Sequence, residues 1–280
     1  MQPCSSSSMN TRKVLPDELT KAFEKLGLGA GDRVAMHGLL SRIGIVEGGA
    51  AMIIHRLLNV LGKKGTLLMP AYTAVTRHSL THDNFTKTGC WCEGIETRHL
   101  PFIPELQPDK EIGEIAHRLC SWPASRRSRH PAFSFVAVGN DSDPLVRGYS
   151  LTDPLQPLKT MVKEDSFVLA VGGELNSIEA IHIAEQTRLP GKFTKERALT
   201  LTSKGQIWVE VTAPGCSKGF QKLVNYLSPR DLRQVDIGSA KTLLYPMKEL
   251  IATAERLLEE NPMALSCERP NCLSCQAVRE

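Results

Sequence analysis

Short apolar runs alternate with segments of helical periodicity along this chain, and this alternation limits the possible folds more than any other feature. The runs Val34–His37, Gly65–Pro70 and Ser166–Gly172 have the length and apolar character of buried strands. Apolar residues recur at helical spacing in Gly49–Leu61 and Ser177–Thr187, after the first and third runs. This order predicts an α/β layered fold with a largely parallel or mixed sheet. Ligands of such folds bind at the carboxyl ends of the strands.

Size and composition exclude several classes of protein. A chain of 280 residues is long enough for one large domain or two small ones. Its 41% apolar and 23% charged residues exclude collagen, extended disorder and a coiled coil. The net charge of +4 is too small to indicate a nucleic-acid surface, and 5% aromatic residues argue against a protein that stacks bases. We therefore expect no nucleic-acid partner.

The pattern along the chain predicts a single domain over residues 13–262. Residues 1–12 are polar and rich in serine, so we expect them to be disordered. Residues 72–110 read as an irregular insert, which is typical of a lid or an acceptor loop. A cysteine-rich tail, residues 263–280, is expected to pack on the domain.

No segment has the length and apolar character of a membrane span. The longest apolar stretch, Ala50–Leu61, is broken by His55, Arg56 and Asn59. The amino terminus lacks the basic and apolar regions of a signal peptide. We therefore expect a cytoplasmic protein without a membrane partner.

A glycine-containing turn joins the first strand to the next helix. It reads His37-Gly38-Leu39-Leu40-Ser41 and continues through Gly44 to Gly48 and Gly49. Backbone N–H groups and the positive end of a helix dipole make such a turn suitable for a phosphate. The same pattern also occurs in purely structural turns, and the sequence leaves both interpretations open.

A basic turn precedes the strand predicted at residues 132–139. It reads Arg126-Arg127-Ser128-Arg129-His130-Pro131. Guanidinium groups hold phosphates through charge-assisted and often bidentate hydrogen bonds. The alternative is a solvated turn without a ligand.

His182 and Glu185 lie three residues apart in the helix that follows the most apolar strand. This spacing places both side chains on one helical face. An imidazole beside a carboxylate is a suitable general base at neutral pH. A structural histidine bonded to a local carboxylate is the alternative, but the position at a strand end favours a function.

The eight cysteines are unevenly placed, and the tail holds three of them. Cys272 and Cys275 form the Cys-x-x-Cys spacing of zinc sites, in which two thiolates occupy adjacent tetrahedral positions. Cys216 and Cys267 would complete four ligands, with Cys90 and Cys92 as rivals. Incidental thiols on a flexible tail are the alternative to this structural zinc site.

Taken in order, these segments resemble the aminoglycoside 3-N-acetyltransferase family. The resemblance covers about residues 15–260 and is most specific where Arg127-Ser-Arg-His-Pro131 is followed by His182-Ile-Ala-Glu185. The ending Cys272-Leu-Ser-Cys275-Gln-Ala-Val-Arg279, with Cys216 upstream, is similar to the tail of the branch that acetylates apramycin and gentamicin.

This resemblance implies a three-layer α/β/α sandwich with a mixed, largely parallel sheet. It implies direct transfer of acetyl from acetyl-CoA to an amine of an aminoglycoside, and a homodimer is possible. His182 would be the general base, oriented by Glu185. The cofactor would be held by two groups of residues: His37, Gly38, Leu39, Leu40 and Ser41 in the first turn, and Arg127, Ser128 and His130 in the second. The metal ligands would be Cys216, Cys272 and Cys275, and Cys267 is the fourth ligand that we expect, with Cys90 and Cys92 as its rivals.

Three segments depart from the family pattern. The first motif lacks two hydroxyl residues, and Gln156-Pro-Leu replaces Ser-Pro-Leu. Thr212–Gly215 replaces acids that bind polycationic acceptors, which leaves other acidic candidates: Glu47, Asp83, Glu93, Glu96 and Asp153. The alternatives are therefore an acetyltransferase for a different small amine, or a zinc-stabilised binding protein with a degenerate transferase site.

Overall fold

The computed structural model describes residues 12–78 and 99–279, and this part of the chain folds around a seven-stranded sheet. The strands, in chain order, are β1 Arg33–Gly38, β2 Thr66–Pro70, β3 Arg77–His78, β4 Arg126–Arg127, β5 Phe135–Gly139, β6 Ser166–Val171, β7 Thr194–Thr202, β8 Gly205–Ala213, β9 Arg233–Ile237 and β10 Ala240–Pro246. The helices are α1 Pro16–Lys25, α2 Leu40–Ile43, α3 Gly49–Leu61, α4 Glu114–Cys120, α5 Ser142–Arg147, α6 Gln156–Val162, α7 Ile181–Arg188, α8 Met247–Glu260 and α9 Leu273–Arg279. The order of the large sheet is β4-β5-β2-β1-β6-β10-β9.

The large sheet is mixed, as predicted, but its parallel part is confined to the three central strands β2, β1 and β6. The four outer pairings are antiparallel, so the sheet is less parallel than the sequence indicated. At one edge the reason is local: only Gly238 and Ser239 separate β9 from β10. A two-residue connection joins antiparallel strands only, whereas parallel neighbours need a long crossover.

Helices cover both faces of the large sheet and produce the expected α/β/α sandwich. On one face, Val34 and Met36 of β1 belong to a core with Phe23 of α1 and Leu57 of α3. On the other face, Ala170 of β6 packs in a second core that α6, α7 and α8 supply. The alternation of side chains along each strand divides the apolar residues between the two cores.

The carboxyl ends of the parallel strands meet at one edge of the sheet, where Gly38 of β1 lies in register with Val171 of β6. The segments that leave this edge carry the polar candidates. Leu39 leads into α2, Tyr72 follows β2, and residues 172–180 lead to α7. This edge is therefore the place for a ligand.

A second sheet, in the order β3-β7-β8, is built mainly from the hairpin of β7 and β8. Its buried residues Ala198 and Val211 pack against Phe133, near the carboxyl edge of the large sheet. Much of the hairpin is polar and half-exposed, so its apolar signal in the sequence is weak.

Parts of the predicted organisation lie outside the described residues, namely residues 1–11 and 79–98. They include most of the predicted disordered terminus, the centre of the insert at 72–110, and Cys90 and Cys92. Among the helices of the described part, none has both the length and the apolar character required to cross a bilayer.

Candidate active site

A buried histidine–carboxylate pair lies in α7, just beyond the carboxyl end of β6. Nδ1–H of His182 donates to Oε2 of Glu185 over 2.6 Å. The two side chains are 2% and 0% exposed, respectively. A donor at Nδ1 fixes the neutral ring in the tautomer whose Nε2 carries a lone pair. The contact expected from the sequence is therefore present, and its geometry leaves Nε2 able to accept a proton.

Lys192 is a buried partner of this pair that the sequence did not reveal. Its Nζ pairs with Oε1 of Glu185, the oxygen that His182 does not use. Only 1% of the lysine side chain is exposed. Lys192 ends the short 3-10 turn Pro190–Lys192 and lies outside the helical spacing of α7, so no local pattern connects it with Glu185.

Glu179 lies on the other side of the imidazole. Its Oε2 is 4.0 Å from Nε2 of His182, and its side chain is 18% exposed. Burial raises the pKa of Glu179, against the opposing influence of His182 and the Tyr72 hydroxyl. The spacing Glu179-x-x-His182-x-x-Glu185 is the sequence signal that would have found it.

Tyr72 joins this polar group from the segment that follows β2. Burial and the neighbouring Glu179 carboxylate raise the pKa of Tyr72 well above its usual value. The edge of its ring packs on Phe133 and Phe135, with centroid distances of 5.3 and 5.8 Å. The tyrosine is therefore a rigid neutral hydroxyl beside the acid.

The turn after β1 is tightly packed at its start and open at its end. Burial lowers the pKa of His37 to about 4, so this imidazole is neutral at physiological pH. A Cβ on Gly38 would lie 3.0 Å from the Met36 side chain, so the space for a larger residue is filled. The Leu39 N–H donates to the Val171 carbonyl over 3.1 Å, and this bond fixes the start of the turn on β6.

Leu40 and Ser41 form the first turn of α2. Ser41 is exposed, whereas Leu39 and Leu40 are half-buried. The part of this motif that is accessible to a ligand is therefore its end. This end lies next to Gly172, because an added Cβ on Gly172 would lie 2.9 Å from Cβ of Arg42.

The guanidinium of Arg127 is bonded inside the chain. It donates to the Ser134 hydroxyl over 3.0 Å and to three backbone carbonyls, those of Ala71, Pro104 and Leu106. These four bonds use most of its five N–H groups. This geometry indicates that Arg127 supports the segments around the site, in contrast to the direct phosphate contact suggested by the sequence.

Ser128 and His130 are also buried and bonded locally. The Ser128 hydroxyl accepts the Phe135 N–H over 3.0 Å, and Nδ1 of His130 accepts the Phe133 N–H over the same distance. Burial lowers the pKa of His130 to about 4, against the influence of the Leu151 carbonyl. These bonds shape the wall next to Phe133, and Arg126 and Arg129 of the same turn are exposed.

The sequence profile described as "Aminoglycoside 3-N-acetyltransferase" matches residues 36–259, a range that contains the histidine pair and both turns. The chain belongs to the aminoglycoside 3-N-acetyltransferase family. It is therefore an acyltransferase, and acetyl-CoA is its co-substrate. The resemblance inferred from the motifs is confirmed.

Two relatives illustrate the extent of the similarity. The aminoglycoside N(3)-acetyltransferase VIII of Streptomyces fradiae is 33% identical over 208 residues, which are 72% of this chain and 71% of the relative. The SPbeta prophage-derived aminoglycoside N(3')-acetyltransferase-like protein YokD of Bacillus subtilis is 27% identical over 250 residues, 87% of this chain and 92% of the relative.

Solved structures confirm the fold. The apoenzyme of aminoglycoside acetyltransferase AAC(3)-IVa has a TM-score of 0.79 at 21% identity, and the match covers 97% of this chain and 99% of that one. The complex "AAC-IIIb binary with CoASH" has a TM-score of 0.76 at 24% identity, and its match covers 89% and 97%.

Four cysteines come together beside this acetyltransferase core. The Sγ atoms of Cys216, Cys267, Cys272 and Cys275 all lie within 4.8 Å of one another. A zinc ion with four Zn–S bonds of about 2.3 Å requires sulfur atoms about 3.8 Å apart, so the set fits a tetrahedral site. Cys216 follows β8, and the other three belong to the tail, so the cluster attaches the tail to the domain.

The thiols of this cluster differ in acidity. Burial and the neighbouring Cys272 and Cys275 raise the pKa of Cys216 to about 12. Although burial opposes it, the Arg269 N–H and the surrounding thiols lower the pKa of Cys267 to about 7. Zinc binds thiolates, so a bound ion would displace the protons that the remaining thiols hold.

Two of the acidic candidates for acceptor recognition already have a cationic partner. Glu47 pairs with Lys13 over 3.1 Å, and Asp153 pairs with Lys159 over 2.7 Å. The other three, Asp83, Glu93 and Glu96, lie outside the described residues. Glu179 is a further acid at the site, with its carboxylate beside Nε2 of His182.

Proposed function

We propose that this protein transfers acetyl from acetyl-CoA to an amine of an aminoglycoside, with His182 as the general base. The observation that carries the proposal is the 2.6 Å bond from Nδ1–H of His182 to Glu185, which leaves Nε2 as a proton acceptor. An aminoglycoside amine is protonated at neutral pH and must lose a proton before it attacks a thioester.

The reaction then follows from this geometry. Nε2 of His182 takes the proton, and the amine nitrogen forms a bond to the thioester carbonyl carbon. Collapse of the tetrahedral intermediate breaks the C–S bond, and the imidazolium returns the proton to the CoA sulfur. The carboxylate of Glu185 stabilises the imidazolium in between, as in other histidine–carboxylate pairs. The products are an amide, free CoA thiol and a second proton, which the nitrogen loses to water as the amide forms.

Acetyl-CoA is assigned to the turn after β1. The accessible end of the motif, at Leu40 and Ser41, offers backbone N–H groups for the cofactor or for the developing oxyanion. His37 and Gly38 form its packed base, Ser128 and His130 form a wall, and Arg127 supports that wall from behind.

The acceptor is assigned to the side of His182 that faces Glu179. A carboxylate 4.0 Å from Nε2 can bind the ammonium group that the base deprotonates. Tyr72 beside it contributes a neutral hydroxyl. Glu179 would thus replace part of the acidic surface lost at Thr212–Gly215.

The test is thiol release across a panel of aminoglycosides and simple amines, with calorimetry of acetyl-CoA binding. His182→Ala is expected to lose turnover and to retain acetyl-CoA affinity within about twofold. The matched control, His55→Ala, changes an exposed histidine of α3 and should retain activity. Full activity of His182→Ala would remove the base from the mechanism. Turnover of simple amines alone would favour the alternative acceptor class.

We also propose that the four cysteines hold a structural zinc ion. Their mutual sulfur distances support this function. Bound zinc would anchor the tail and supply no chemistry to acetyl transfer. Elemental analysis should find about one zinc per chain. Cys272→Ser should lose it, and Cys120→Ser, which changes a thiol outside the cluster, should not. Absence of zinc from protein purified without chelator contradicts the proposal.

A further inference from the structure

Lys192 is buried beside the proposed base and belongs to neither the acetyl-CoA turn nor the acceptor side. Its ammonium pairs with the free oxygen of Glu185, and only 1% of its side chain is exposed. A buried ammonium costs several kcal/mol unless a counter-charge compensates it. Each carboxylate oxygen of Glu185 therefore has its own partner: Oε1 pairs with the Lys192 ammonium, and Oε2 accepts from the His182 imidazole.

The surroundings of Lys192 come from the segment that carries Cys216. A Cβ on Gly215 would lie 3.0 Å from Cγ of Lys192, so the lysine stem lies directly against this backbone. The ring centroid of Phe220 is 5.9 Å from Nζ of Lys192 and 4.7 Å from the ring centroid of His182. One short segment therefore packs against both the lysine and the base.

That segment is tied to the tail at several points. The Cys216 sulfur belongs to the four-cysteine cluster. A Cβ on Gly219 would lie 2.3 Å from the Leu265 carbonyl oxygen, and Lys222 donates to the Ser266 carbonyl over 2.9 Å. The tail helix α9, which contains Cys275, also packs against the Pro190–Lys192 turn. The tail therefore contacts the Pro190–Lys192 turn directly and also packs against the segment that lies on the Lys192 stem.

On the basis of the proposed function of His182, we propose that Lys192 is a positioning residue that links the four-cysteine cluster to the His182–Glu185 pair. Its charge holds Oε1 of Glu185, so that Oε2 stays directed at the imidazole. The same charge opposes protonation of the ring, because an imidazolium and an ammonium would share one carboxylate. The packing of the tail helix against the Pro190–Lys192 turn keeps Lys192 in this place.

Several ionisable groups surround the imidazole, and the experiment must separate the effect of Lys192 from theirs. Glu185 and Lys192 act on the Nδ1 side, and Glu179, with Tyr72 beside it, acts on the Nε2 side. The facing helix α8 contributes Glu259, but this group pairs with Arg188 at the end of α7. Loss of the lysine charge acts on the imidazole from the Nδ1 side, and Lys192 also acts electrostatically on the thiol of Cys275.

The test compares Lys192→Met and Lys192→Arg in the full-length, zinc-loaded protein. We expect Lys192→Met to lower kcat about tenfold, to leave the KM for acetyl-CoA within about twofold, and to move the acidic limb of the kcat/KM profile up by about one pH unit. Lys192→Arg keeps the charge and should keep the limb. Lys195→Met, which removes an exposed lysine paired with Glu210, is the control and should match the unmodified protein.

Each outcome decides a separate question. If Lys192→Met keeps the wild-type kcat and acidic limb while His182→Ala is inactive, the positioning role is overturned. An unmoved limb with equal losses in both lysine variants shows a packing role only and also overturns it. Full activity of His182→Ala overturns the proposed base and this proposal together. If Lys192→Met does not fold, zinc-stripped wild-type protein, with its fold checked by circular dichroism, replaces it. An acidic limb at a higher pH than in the zinc-loaded protein then supports the link, and an unchanged limb contradicts it.

Discussion

Lys192 and Glu185 form an ion pair from which water is excluded, and they are separated by the end of α7 and a 3-10 turn. The exposed fractions of the two side chains are 1% and 0%. Because Glu185 also accepts a hydrogen bond from His182, one carboxylate both neutralises the Lys192 charge and orients the His182 ring. A change at this acid therefore affects both stability and turnover.

Glu185→Gln is expected to destabilise the protein by about 3–5 kcal/mol, because it leaves the Lys192 charge buried without a counter-charge. Turnover should fall as well, since the amide no longer stabilises the imidazolium. Urea denaturation and thiol release measure the two effects. Glu210→Gln breaks the exposed pair with Lys195 and should cost less than about 1 kcal/mol. Equal stability of the two variants would contradict the prediction.

Arg127→Lys is expected to lower the free energy of unfolding by at least about 2 kcal/mol, because a lysine cannot reproduce the guanidinium's bonds to Ser134 and three carbonyls. Arg126→Lys changes an exposed neighbour and should stay within about 0.5 kcal/mol. Urea denaturation of both variants gives the comparison. A larger loss of acetyl-CoA affinity than of stability in Arg127→Lys would instead indicate a direct phosphate contact.

Acid should destabilise the protein through His37 and His130, whose pKa values are lowered by burial to about 4. The unfolded chain binds protons at about pH 6.5, so the native state is penalised as pH falls below that value, and the penalty stops growing near pH 4. At about pH 5 each histidine should cost about 2 kcal/mol relative to neutral pH.

The measurement is the free energy of unfolding at several pH values. His37→Gln should flatten its decline between about pH 6.5 and about pH 4. His55→Gln changes an exposed histidine and should leave the decline unchanged. An identical slope in His37→Gln and the unmodified protein would refute the assignment.

Glu179→Gln is expected to raise the KM for an aminoglycoside about tenfold and to leave the KM for acetyl-CoA unchanged, because it removes the carboxylate beside Nε2 of His182. Glu164→Gln, at an exposed acid near the amino end of β6, is the control. The initial rates are measured with each substrate varied in turn. Equal changes in both KM values would assign Glu179 a general structural role.

Local patterns were sufficient for much of the fold and for the contact between His182 and Glu185. The helix predicted at Gly49–Leu61 has the observed bounds, because an amphipathic repeat closed by Gly62 is a local property. His182 and Glu185 meet because residues three apart share a helical face. The small sheet was largely missed, since β7 and β8 alternate between half-buried and exposed polar residues.

The role of Arg127 needed the tertiary structure. A basic turn has the same composition whether its guanidinium groups face a phosphate or its own chain. The carbonyls that hold Arg127 come from Ala71, Pro104 and Leu106, which lie 21 to 56 residues away in sequence. Only the folded chain brings such acceptors together.

The sequence by itself determined the α/β class, the family motifs and the cysteine spacing, because each depends on residues close together in the chain. The tertiary structure decided which groups share the site. It placed Lys192 on Glu185, Glu179 beside His182, and Cys216 with the three tail cysteines. Burial is the physical reason. The partners of a buried charge or thiol, and therefore its proton affinity, come from segments that are distant in sequence, so no local pattern predicts them.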